Sequence, residues 1–254
     1  MTALAQAGPT ATLPLRVYAA GSLREPLTEI ARLYEAATGT QVELTLGASG
    51  LLRERIEQGE PAQVFASADT QHPQTLASSG AQWQPPALFV RNTLCALTAP
   101  NEPATTDSLL ARMLSPQVRL GTSTPKADPS GDYAWTLFRK AEMVQPGAYA
   151  LLDAKALKLT GSLDAAKPPA GRGTYAWLMD EGQADIFLTY CTNAISAQKE
   201  VPRLQVVAIP AALQVSASYG LTARRGNAAA TGFAQYLLQP PAQAVFRKAG
   251  FAAP

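Results

Sequence analysis

Residues 15–68 alternate apolar and amphipathic runs in an order that few folds accept. Residues 15–20 read as a buried strand, and Leu23, Leu27, Ile30, Ala31 and Tyr34 then keep helical spacing until Thr38-Gly39 ends the run. Residues 41–46 form a second strand; Leu51, Leu52 and Ile56 give the next helix an apolar face, closed by Gly59 and Pro61; residues 64–68 form a third strand. Strand, helix, strand, helix, strand predicts a parallel sheet covered by helices, whose ligands bind beyond the carboxyl ends of the strands. Two small-residue junctions stand at such ends, Ala19-Ala20-Gly21-Ser22-Leu23 and Gly47-Ala48-Ser49-Gly50. Each puts a serine where a helix begins. Unpaired N–H groups, the positive end of the macrodipole and a hydroxyl donor make such a place fit for an anion. Both serines also read as plain N-caps, Ser22 through a capping-box pattern with Glu25 and Pro26 behind it.

Composition narrows the function classes. With 254 residues, 47% hydrophobic and 16% charged, the chain has material for one large domain or two lobes. A net charge of +2 and no basic cluster beyond Arg224-Arg225 argue against nucleic acid or an anionic membrane as partner. No apolar run reaches the roughly 18 residues of a membrane helix. Two cysteines and one histidine, His72, are too few for a zinc site. Cys95 and Cys191 lie in apolar strand-like runs, where buried free thiols are the expectation; a bridge in an oxidising compartment is the alternative, and requires Cα atoms within about 7 Å. A hydrolase triad would depend on His72, and the chain has no Gly-x-Ser-x-Gly elbow, Walker loop, dinucleotide-binding Gly-x-Gly-x-x-Gly after a strand or His-Glu-x-x-His. Asp128 and Asp132 are spaced for a carboxylate pair or for capping a helix.

Beyond residue 70 the pattern predicts strands over 88–100, 119–122, 186–190, 206–209 and 219–223, and helices over 134–141, 174–181, 229–238 and 242–249. Residues 146–173 resist assignment. No repeat and no low-complexity linker separates domains, so two interleaved lobes are expected: residues 14–92 with 220–254, and residues 93–219, crossing near 88–100 and 219–223. Residues 1–13 read as a frayed terminus or signal-peptide remnant, with Ala5-Gln6-Ala7 like the tail of a cleavage site.

Val17-Tyr18-Ala19-Ala20-Gly21-Ser22-Leu23, Leu46-Gly47-Ala48-Ser49-Gly50, the stretch from Ile56 through Gly59-Glu60-Pro61 to Asp69, Asp128-Pro129-Ser130-Gly131-Asp132-Tyr133-Ala134 and Tyr190-Cys191-Thr192-Asn193-Ala194 follow one another in a familiar order. Over roughly residues 14–254 the chain resembles the molybdate-binding proteins of ABC importers. The resemblance implies a type II periplasmic-binding-protein fold, an α/β molecule of two lobes with mostly parallel sheets. It also implies a periplasmic monomer without cofactor or catalysis, which carries molybdate or tungstate to an inner-membrane ABC permease. Position by position, it makes Ser22 and Ser49 the oxyanion donors of the first lobe. In the second lobe it gives Ser130 through its backbone N–H, the Tyr190 hydroxyl, and a fifth donor at Gly171, or at Arg172 because the spacing to Tyr190 is one residue longer. Gln63, Thr192-Asn193 and Asp132 depart from the family pattern; a carboxylate at 132 would repel an anion unless it faces away or pairs with Lys126 or Arg172. Sulfate, another oxyanion or a small organic acid in the same fold is the alternative, the organic acid favoured by Arg172 and Asp132, and a hydrolase or transferase is the remaining one.

Overall fold

The computed structural model describes residues 13–254, so the reading of the first residues as a signal remnant lies almost wholly outside the described residues. Strand β1 (Leu15–Ala20) pairs in parallel with β2 (Val42–Gly47) on one side and β3 (Val64–Ser67) on the other. Helices α1 (Arg24–Thr38) and α2 (Ser49–Glu57) make the two connections, as the alternating pattern requires. Gly39, at φ 72°, ends α1 in the left-handed conformation that glycine adopts without strain.

After α3 (Gln71–Ser78), the long strand β4 (Ala87–Thr98) carries the chain into a second half. There follow α4 (Leu109–Leu114), β5 (Leu120–Ser123), α5 (Pro129–Val144), α6 (Ala148–Lys155), β6 (Leu157–Thr160), α7 (Thr174–Asp180), β7 (Ile186–Tyr190), α8 (Cys191–Glu200) and β8 (Gln205–Ala208). The return strand β9 (Ser216–Ala223) leads to α9 (Ala228–Leu237) and α10 (Pro240–Lys248). The strand order is β2-β1-β3-β9-β4-β7-β5-β6, with β8 also on β4. Among the described residues only β4 and β9 carry the sheet from one half to the other. β4 pairs antiparallel with β9 from Ala87 to Thr93, then with β7 and β8 from Leu94 to Thr98. β3, β5 and β7 are buried along their whole lengths, as parallel strands covered on both faces should be.

Four expectations need correction. Cys95 and Cys191 are joined in a disulfide, their Cα atoms 4.7 Å apart. Cys191 is not in a strand but opens α8, and the pairing of Cys95 with Thr189 across β4 and β7 brings it beside its partner. Ser22 does not cap α1: it sits inside a short 3-10 turn, Gly21–Leu23, and makes no side-chain cap. Ser49 is the first helical residue of α2, with Ala48 as the cap. The unassigned stretch 146–173 contains α6 and β6, whose exposed residues Leu151 and Leu157 obscure the apolar periodicity.

Candidate functional site

A cleft of about 870 Å³ opens between the two halves of the sheet, beyond the carboxyl ends of β1, β2, β6 and β7. Ser22, Gly171, Arg172 and Tyr190 line it, as do Ala48 and Asp128, while Ser49 and Ser130 are buried and absent from the lining. A second depression of about 830 Å³ over α3 and the start of β4 has no charged side chain in its lining. Four of the six predicted positions, one from the first half and three from the second, therefore share one space.

Their hydrogen bonding differs in a way that bears on function. The Ser22 hydroxyl and the Tyr219 hydroxyl lie 2.9 Å apart; one proton of the pair bridges them and the other is free to donate. The Ser49 hydroxyl accepts the N–H of Ala68 at 3.1 Å, which leaves its own proton free. The Ser130 and Tyr190 hydroxyl oxygens are buried and have no hydrogen-bond partner at all. Such groups are rare in folded proteins, because a buried, unsatisfied hydroxyl costs about 1–3 kcal/mol. Tyr190 is held in place by Tyr133 and Tyr219, with ring centroids 6.2 and 5.5 Å away. Burial raises the Tyr190 and Tyr219 phenols above the usual tyrosine range and pushes Tyr133 up to about 12, so all three stay protonated donors at neutral pH.

The remaining predicted positions are placed differently. The Ser130 N–H, the expected backbone donor, is taken by Asp128 Oδ1 at 3.1 Å, since Asp128 is the N-cap of α5. The Arg172 N–H donates to the Pro169 carbonyl at 3.1 Å, and its guanidinium holds Glu200 at 2.5 Å and Asp180 at 3.0 Å. Gly171 turns the chain at φ 81°. Asp132 is absent from the cleft lining; its carboxylate accepts the backbone N–H of Lys126 at 3.1 Å, and burial is the main cause that raises its pKa. Tyr219, on a strand 197 residues from Ser22, had no local signal as a site residue.

The profile of the bacterial extracellular solute-binding proteins matches residues 15–252. The chain belongs to this family. Among relatives of this solute-binding protein, the uncharacterized protein PM1146 of Pasteurella multocida is 39% identical over 210 residues, covering 82% of this chain and 86% of its own. The molybdate-binding protein ModA of Escherichia coli is 26% identical over 256 residues, 93% of this chain and 88% of its own, which bears out the resemblance read from the motifs. The sulfate-binding protein SubI of Mycobacterium tuberculosis shares the fold, with a TM-score of 0.77 at 16% identity over 95% of this chain and 87% of its own. The family and the two named relatives with a stated ligand are solute-binding proteins. No helix among the described residues is long and apolar enough to cross a membrane.

Proposed function

We propose that this solute-binding protein captures a tetrahedral oxyanion, molybdate or tungstate, in the cleft and delivers it from the periplasm to an ABC permease. In this reading the lobes are residues 14–92 with 220–254 and residues 93–219, and β4 and β9 are the hinge between them. The observation that carries the proposal is the pair of buried, partnerless hydroxyls of Ser130 and Tyr190 beside the free protons of Ser22 or Tyr219 and of Ser49. Neutral donors from both halves hold a dianion through charge-assisted hydrogen bonds without a buried countercharge. Arg172, the cation that the sequence pointed to for a small organic acid, is already paired with Asp180 and Glu200.

The test is thermal unfolding with molybdate, tungstate, sulfate and phosphate. A ligand at 100 times its Kd adds roughly 2.7 kcal/mol, a clear rise in Tm. Molybdate and tungstate are expected to give it. No shift with any of the four at millimolar concentration removes the oxyanion function, and a larger shift with sulfate reassigns the ligand.

A further inference from the structure

The donor set contains one group of the wrong kind for a bare dianion. Asp128 stands in the cleft wall, as does Tyr190 with its partnerless hydroxyl. It cannot swing away: its backbone N–H donates to the Thr124 carbonyl at 3.0 Å, and its Oδ1 caps α5 at Ser130. Gly161 closes the other side, where even a methyl group would stand 2.6 Å from the Asp128 Cβ.

Resting on the oxyanion function above, we infer that Asp128 is a specificity-determining residue whose carboxyl shares one hydrogen with the bound oxyanion. A bare dianion such as molybdate then enters together with a proton from solvent, which ends on Asp128 and is donated to a ligand oxygen. A monohydrogen oxyanion such as hydrogen phosphate brings its own hydrogen, which the Asp128 carboxylate accepts, and nothing is taken from solvent. Either way one proton lies between the two negative groups, and neither is forced to face the other bare.

The surroundings of Asp128 supply no other way to neutralise it. From α5 it faces Asp132, from the segment after β3 Asp69, from α7 Tyr175, from β7 Tyr190 and from β9 Tyr219. The hydroxyl of Ser123 and the N–H of Ser130 favour its charged form, and burial outweighs them, pushing its pKa up to about 6. Arg24 and Lys167 also line the cleft, and neither forms an ion pair with Asp128. An anion placed beside this carboxyl raises its pKa further, which takes it through neutrality.

The experiment is calorimetric titration with molybdate at pH 7 in two buffers of different ionisation enthalpy, and a Kd series from pH 6 to 8.5, on the wild type, Asp128→Asn and Asp132→Asn. Asparagine is as good an N-cap as aspartate, so α5 keeps its start. The wild type should take up close to one proton per molybdate and lose affinity about tenfold per pH unit above 7. Asp128→Asn should take up none, show a flat profile and bind molybdate up to about a hundredfold more tightly than the wild type at pH 8. Asp132→Asn should keep the wild-type slope, and whatever hydrogen phosphate binds the wild type should do so without uptake. Molybdate binding without proton uptake, uptake that persists in Asp128→Asn, or uptake lost in Asp132→Asn overturns the inference and leaves the oxyanion site standing. Failure of molybdate, tungstate, sulfate and phosphate alike to bind overturns both.

Discussion

The backbone N–H of Gly50 donates to the carbonyl of Ala127 at 2.9 Å, tying the first turn of α2 to the loop before α5 across the mouth of the cleft. Only glycine fits there, because a Cβ would lie 2.3 Å from the Lys126 carbonyl oxygen and 2.8 Å from that of Ala127. The facing loop is itself constrained: Lys126, at φ 69°, is the one described non-glycine residue with a positive φ. Ser196 Oγ to Glu25 Oε1, at 2.5 Å, makes a second bond across the halves.

Gly50→Ala is therefore expected to hold the halves apart. Alanine favours a helix over glycine by roughly 1 kcal/mol, so the melting temperature of the ligand-free protein should hold or rise. Molybdate affinity should fall about tenfold or more, the equivalent of about 1.4 kcal/mol or more. Small-angle scattering of the variant with saturating molybdate should give a larger radius of gyration than the wild-type complex. A complex of wild-type size and affinity would show that this contact has no part in closure.

The two partnerless hydroxyls predict an unusual separation of stability from binding. Ser130→Ala and Tyr190→Phe leave no new group unsatisfied, so ligand-free stability should stay level or increase by up to about 1 kcal/mol. Each removes a donor to a charged ligand, worth about 1.5–3 kcal/mol, and affinity should drop roughly ten- to a hundredfold. Ser49→Ala should behave differently, because it strands the Ala68 N–H that its hydroxyl now accepts. That variant is expected to lose about 1–3 kcal/mol of stability as well as affinity. Chemical denaturation beside calorimetric titration separates the three, and wild-type affinity in both Ser130→Ala and Tyr190→Phe would remove them from the site.

Much of this arrangement was legible in the sequence because it is built from local pattern. The alternation over residues 15–68, the strand Ile186–Tyr190 and the helix from Thr174 follow from periodicity and their flanking glycines. Ser22 and Ser49 stood out because small residues at strand ends mark the places where a sheet presents donors, whereas Ser130 and Tyr190 were pointed to only by the resemblance to the molybdate-binding proteins. What stayed hidden depends on contacts between distant segments. Tyr219 reaches Ser22 only through the crossing of β9, and Cys191 meets Cys95 only because β7 lies beside β4. Asp128 was visible as an acidic residue before a helix, but its second face, towards the cleft, depends on how β6 packs on it through Gly161.

The Cys95–Cys191 bridge closes a long loop, with a sequence separation of 96, and attaches the residue after Tyr190 to the crossing strand β4. By the chain-entropy account such a loop is worth about 4–5 kcal/mol, and measured bridges more often give about 2–4. Reduction, or Cys95→Ser with Cys191→Ser, is expected to lower stability by about 2–4 kcal/mol in urea denaturation. A thiol-reactive label should enter the unfolded protein only after reduction. Labelling of two thiols in unreduced, unfolded protein would show that the bridge does not form.

Asp128 also gives the ligand-free protein a pH signature of its own. Burial raises its carboxyl from the ordinary 3.8 to about 6, so the folded protein holds this proton more tightly than the unfolded chain does. Its favourable contribution is complete below about pH 4 and is lost as the pH rises through 6. At pH 7 the ionised side chain costs about 1–3 kcal/mol of folding stability, taking 1.36 kcal/mol per pH unit of displacement. Asparagine at this position is neutral throughout and caps α5 equally well. Asp128→Asn should therefore match the wild type near pH 4 and exceed it by about 1–3 kcal/mol at pH 7, with the gap opening between pH 4 and 6. Urea denaturation of both proteins at half-unit steps of pH measures that gap. A difference that stays constant across the range would mean that Asp128 ionises as freely in the folded cleft as in the unfolded chain, and the desolvation assigned to it would have to be given up.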